Sequence, residues 1–213
     1  LLFSASASNL TGTTGTMPDL LNPSVDNTDD QLDLVLIQDA FGFANLVMRA
    51  TTDDPDSFEA TFLVEVLSVN DEPSAEIQTV GAVEDVPLPI ILAGDDGDPG
   101  EIQTLSYIIT VLPSTATLSE SEGGEAILPG VPFTQDTVFF VTASNDVSPQ
   151  SFDFQVMDDG GTENGGIDTS QTATVTINVT PVNDDPVAVD DAFTVSEDAL
   201  AELLDLLAND SSA

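Results

Sequence analysis

Residues 58–73 read FEATFLVEVLSVNDEP, and residues 171–186 read QTATVTINVTPVNDDP. Both carry Ala-Thr, then apolar residues at every second position (Phe62, Val64 and Val66; Val175, Ile177 and Val179), and both stop at Val-Asn-Asp-acid-Pro. Such alternation is the pattern of a strand buried on one face. Pro73 and Pro186 push the residue before them out of the helical region, so each strand exits into an extended linker. The pitch from Asn70 to Asn183 is 113 residues. A second pair follows each linker: GAVEDVPLPIILAGDDGD at 81–98 and TVSEDALAELLDLLANDSS at 194–212. Glu84 and Glu197 each lie 14 residues after the linker asparagine. Two matched elements at one offset define an internal repeat.

Between the linkers, short alternating or apolar runs at 105–112, 136–143 and 151–157 are separated by Gly-, Ser- and Asp-rich turns. Helix signals are nearly absent. Residues 199–208 could be read as a helical turn, but their counterpart holds Pro87 and Pro89, which argue for strand. The expected fold is all-β: tandem antiparallel Greek-key β-sandwiches, one complete and two partial. The expected domains are residues 1–70, the closing part of one sandwich; 71–183, a complete sandwich; and 184–213, the opening strands of a further one. The two partial pieces add up to about one repeat, as in a longer array cut out of phase.

Of the 213 residues, 39 are Asp or Glu and one, Arg49, is basic; Lys, His, Cys and Trp are absent, and the formal charge is −38. A phosphate-binding surface needs Lys and Arg, so nucleic acid and anionic membranes are excluded as partners. Without His or Cys there is no Ser-His or Cys-His nucleophile pair, no zinc site of the usual type and no disulfide framework. No apolar run approaches the ~18 residues a membrane span needs. A hydrophobic fraction of 41% is too high for an acidic disordered chain.

The acids concentrate at turns and joints. They lie before the second strand (Glu84, Glu197), after it (Asp96, Asp98), after the penultimate strand (Asp158; Asp53 in the first repeat) and in the linkers (Asn70, Asp71; Asn183, Asp184). Alternate loops of a sandwich lie at one end, so the loops of Asp96, Asp98 and Asp158 are expected to meet the incoming linker. Carboxylate, amide and carbonyl oxygens without His or Cys make a donor set for Ca²⁺, which takes about 6–8 hard oxygens. The competing readings are turn chemistry alone, and acidity as adaptation to salt. Residues 160–168, GGTENGGID, read as a flexible hairpin loop. Phe139, Phe140, Phe152 and Phe154 read as sandwich core rather than a sugar-stacking platform.

The ordered motifs VNDEP and VNDDP, VED and SED, and DGD and MDD resemble bacterial cadherin-like repeats of large surface adhesins and extracellular matrix proteins. The resemblance covers essentially the whole chain. It implies an Ig-like sandwich and Ca²⁺ held between successive domains. Carried onto this sequence, the first joint would use Asn70, Asp71, Asp96, Asp98 and Asp158, and the second Glu84, Asn183, Asp184 and Asp210. The sequence departs from the family where an Asp-Arg-Glu motif is expected, and after Asp210, where Ser-Ser-Ala follows. Fewer ions per joint and a weaker second joint are therefore expected.

The function expected from all this is a non-enzymatic extracellular structural or adhesive repeat whose joints bind Ca²⁺ and rigidify a rod or filament. Its partners would be neighbouring repeats or copies of itself, with the tail of one copy completing the head of the next, and cell-surface or matrix glycans form a second partner class. The alternative is a calcium-dependent carbohydrate-binding or ancillary module of a secreted enzyme.

Overall fold

The computed structural model describes residues 2–9, 21–26, 31–51, 57–99, 101–198, 200 and 203–211. The chain divides into two compact units. One comprises Leu1–Ala75, Gly94–Ser106 and Val156–Gln171; the other comprises Glu76–Ala93, Tyr107–Gln155 and Thr172–Ala213.

In the first unit, β1 (Leu2–Asn9), β2 (Leu21–Asp26), β3 (Gln31–Leu36), β4 (Gly42–Thr51) and β5 (Ser57–Val66) form an antiparallel β1-β4-β5 sheet and a β2-β3 pair. Ala40 and Ala44 are buried with Ile37, Val64 and Val66 against them. The outer strand β5 is different from its sequence mate. Phe58, Phe62 and Leu63 remain 70%, 52% and 62% exposed, although its alternation predicts a buried face.

The remaining strands are β6 (Ser74–Ala75), β7 (Gln78–Val83), β8 (Leu88–Ile91), β9 (Gly94–Asp95), β10 (Ser106–Val111), β11 (Thr117–Ser119), β12 (Thr137–Val141), β13 (Gln150–Met157) and β14 (Ala173–Thr180). One sheet runs β10-β13-β14-β7 and a second runs β11-β12-β8, while β6 pairs with β9. Alternation explains the core of the second unit: Val138 and Phe140 of β12, Phe152 and Phe154 of β13, and Val175 and Ile177 of β14 are all buried. Removing each such phenylalanine from water is worth about 1.5–3 kcal/mol. Tyr107 is also buried, so these aromatics are core and none of them faces a ligand.

The fold is all-β as expected, with two differences. β7 pairs with β14 in parallel, Ile177 opposite Val80 and Val179 opposite Ala82. Alternation reports which side chains are buried and says nothing of strand direction. The first strand here splits: β6 stays with β9, and β7 crosses to lie beside the last strand, running the same way. The second difference is the tail. Val187 bridges Ser211, echoing Ser74 opposite Asp95, but the described residues 191–198 and 203–209 form neither the expected strand nor a helix. Phe193, Val195, Leu203 and Leu207 are exposed by 46%, 58%, 104% and 74%, because no sheet receives them.

Candidate metal centres

Both linkers carry the same Asn-Asp-acid-Pro, and the structure treats them differently. In the first unit Asn70 is buried. Its Nδ2 donates to Asp158 Oδ1 at 2.9 Å and to the Ile167 carbonyl at 2.7 Å, and its Oδ1 accepts from Gln103 Nε2 at 2.6 Å. The Ile167 amide donates back to the Asn70 carbonyl at 3.2 Å. Only glycine admits this side chain: a Cβ on Gly160 would stand 2.0 Å from Asn70 Oδ1, and one on Gly166 2.9 Å from Asn70 Cβ. Asn164 Nδ2 reaches the Ser68 carbonyl at 3.1 Å, and Gln171 Nε2 reaches Glu72 Oε1 at 2.7 Å. The loop read as a flexible hairpin is thus a clasp on residues 68–72.

The loop after β9 closes from the other side. Gly97 has φ +78°, and a Cβ there would lie 2.4 Å from the Glu72 carbonyl oxygen, so linker and loop touch through backbone. Asp96 shapes this loop: Oδ1 accepts from the Asp98 amide at 3.3 Å and Oδ2 from the Gln103 amide at 3.0 Å. Asp98 is buried and, with Asp71, lines a cavity of about 330 Å³ together with residues 36–41 and 66–69. Asp39, which the motifs did not single out, lies on the same wall with φ +59°.

The charges are crowded. Burial, followed by repulsion from Asp39 and Asp98, raises the Asp71 pKa above 3.8. Burial raises that of Asp158 as well, against the opposing hydrogen bonds from the Gly160 amide and Asn70. Asp158 Oδ2 is buried with no donor. Asp159 is held below 3.8, first by the Thr104 amide. Among the described residues, no three acids close into metal-ligand geometry. Asp53 lies outside the described residues.

In the second unit Glu84 is only 3% exposed. Its Oε1 accepts from the Val182 amide at 2.7 Å, its own amide donates to the Thr180 carbonyl at 3.1 Å, and Oε2 is buried with no donor. It opens on a cavity of about 510 Å³ lined by Asn145, Val147, Pro181, Val182, Asn183 and Asp184. Asn145, at φ +56°, occupies the place Asp39 has in the first repeat: each precedes the strand that pairs with the repeat's last strand. Asn183 is exposed, since no loop of a following domain covers it. Glu197 sits in an exposed turn, and Asp210 Oδ1 accepts from the Val189 amide at 2.7 Å.

A pH dependence follows. Asp71 and Asp158 bind protons more tightly folded than unfolded. Their contribution to stability is therefore fully present below pH 3.8 and lost as pH rises through their raised folded values. Asp159 works oppositely, but it is exposed and screened. The melting temperature of the metal-free chain should rise on mild acidification from neutral pH, and Asp158→Asn should flatten that rise. An equal slope in the variant would show that Asp158 is not the source.

No protein family and no curated protein matches the chain. Among solved structures it is similar to the EC1-2 domains of human protocadherin-24, at 17% identity over 83% of this chain and 81% of that one, with a TM-score of 0.48. It is also similar to extracellular cadherin domains 1–4 of protocadherin gamma B7, at 18% identity over 92% of this chain and 46% of that one, TM-score 0.46. Domains 4 and 5 of the S-layer protein SbsC match at 13% identity over 83% and 70%, TM-score 0.28. The chain thus spans under half of the longer protocadherin fragment. The likeness is one of fold: all-β domains built from antiparallel sheets. No helix among the described residues is long and apolar enough to cross a membrane.

Proposed function

We propose that this chain is a non-enzymatic structural and adhesive module of the cell exterior, with cadherin-like sandwiches at 1–70, 71–183 and 184–213 and Ca²⁺-binding joints between them. The observation that carries this reading is a pair of buried carboxylate oxygens without donors, Asp158 Oδ2 at the first joint and Glu84 Oε2 at the second. A buried anionic oxygen without a partner costs several kcal/mol unless it takes a proton or a cation. The crowding of Asp71 by Asp39 and Asp98 has the same remedy. At the first joint Asp39, Asp71 and Asp98 would hold the ion, with Asp158 beside them; at the second, Glu84, Asn183 and Asp184 would do so. A hard divalent cation supplies the positive charge these oxygens lack.

The chain's own residues divide the remaining work. Asn70, gripped by three side-chain hydrogen bonds, orients the linker so that Asp71 turns toward Asp98. Asp96 holds the loop that carries Asp98. Asp39 belongs to the preceding repeat, so repulsion from Asp71 and Asp98 drives the repeats apart and a shared cation draws them together.

Calcium titration by calorimetry tests this. Saturable binding is expected to persist when NaCl replaces any non-specific screening, with Asp158→Asn weakening one class of site and Glu84→Gln another. Heat that sodium abolishes entirely, unaffected by either variant, would leave only bulk acidity.

A further inference from the structure

The two sheets of the sandwich, β10-β13-β14-β7 and β11-β12-β8, have counterparts in the first seventy residues. There, β1-β4-β5 repeats β10-β13-β14, and β2-β3 repeats β11-β12. Among the described residues each sheet of the first repeat lacks one strand, the equivalents of β7 and β8. Those two strands have a second sequence copy in this chain, in the tail: the 113-residue pitch maps residues 78–83 of β7 onto 191–196. Both halves of this match are apolar and unpaired. β5 is an edge strand with Phe62 and Leu63 exposed, and β3 shows Val35 and Leu36 at 57% and 58%. The tail shows Phe193, Val195 and the leucines at 203, 206 and 207.

We propose that residues 191–207 of one copy of this chain complete the sandwich of residues 1–70 of another. Residues 191–196 join the free edge of β5 as a parallel strand, and the leucine segment joins β3. The register is set by the complete repeat. Ile177 faces Val80 and Val179 faces Ala82, so Val64 faces Phe193 and Val66 faces Val195. The side-chain pattern agrees: in β7 the inward positions are Val80 and Ala82, and their equivalents are the apolar Phe193 and Val195. Ala192, Thr194 and Ser196 fall on the outward side. β5 contains no proline that would break the new ladder. Head and tail surfaces differ, so the contact is heterologous and propagates as an open filament. Each copy carries −38 charges, so association needs salt to screen the repulsion. This inference is independent of calcium, and it is tested with a chelator present.

The chain has no cysteine, so register can be read by disulfide trapping. Adjacent strands stand about 4.8 Å apart, within the span a disulfide bridges. Chains carrying Val64→Cys and Phe193→Cys are mixed at high salt in an oxidising thiol buffer. They should cross-link as a mixed dimer roughly tenfold faster than Val64→Cys with Ser196→Cys, which is out of register and on the other face. If Val64→Cys fails to fold, Val66→Cys with Val195→Cys repeats the test. In sedimentation, the unmodified chain should form larger species with rising concentration, and Val195→Pro should weaken that association by about tenfold or more. The proposal is overturned by a chain that stays monomeric up to near-millimolar concentration in high salt. Equal rates for the two cysteine mixtures would also overturn it, as would a Val64→Cys/Phe193→Cys double variant that cross-links only within one molecule.

Discussion

Replacing Asn70 with alanine is expected to cost about 3 kcal/mol of folding stability, which is large for a single linker residue. The side chain makes three hydrogen bonds inside the clasp, to Asp158, Ile167 and Gln103. Alanine leaves a buried carboxylate short of one donor, a buried carbonyl unpaired and Gln103 Nε2 without its acceptor. Each orphaned group costs about 1–3 kcal/mol, less whatever a water entering the space recovers. The repeat supplies its own control. Asn183 occupies the same motif position but is exposed, so Asn183→Ala should change stability by no more than about 0.5 kcal/mol. Urea unfolding of both variants, compared by midpoint at unchanged slope, reads the difference. Equal effects at the two positions would mean that the clasp does not hold the linker.

That contrast also shows how far the sequence could be read. The alternation of Val175 and Ile177, and of Phe152 and Phe154, leads directly to buried strands, because period-two burial is a local property of the chain. The linkers, Glu84, Asp98 and Asp158 were visible as acids at fixed places in a repeat. Asp39 was not. It lies 31 residues before Asn70, whereas its structural mate Asn145 lies 38 before Asn183, so no fixed offset marks it. The clasp was hidden for another reason. GGTENGG has the composition of a mobile turn, and only the fold shows that Gly160 and Gly166 are small because Asn70 occupies the space a Cβ would need. Asp96 and Asp98 looked like an equivalent pair, yet one has both oxygens on loop amides and the other lines the cavity.

The second large effect is calcium removal. Any ligand that binds the folded chain alone stabilises it by RT ln(1 + [L]/Kd), about 2.7 kcal/mol at a hundredfold excess over Kd. Because Asp39 precedes the linker while Asp71 and Asp98 lie in and after it, that energy acts across the joint and limits how freely residues 1–69 swing. The clasp on residues 68–72 places the hinge just before Asn70, between Val66 and Val69 on the cavity wall. Acid should mimic chelation in this respect, since protons compete with calcium for the same carboxylates.

Small-angle scattering of the chain at constant ionic strength, in calcium and then in excess chelator, addresses the joint itself. The account predicts a narrow interatomic distance distribution with calcium that broadens and shortens on chelation, and an Asp39→Asn/Asp98→Asn variant that already looks chelated in calcium. Identical profiles in calcium and chelator, for a chain that calorimetry shows to be saturated, would contradict it.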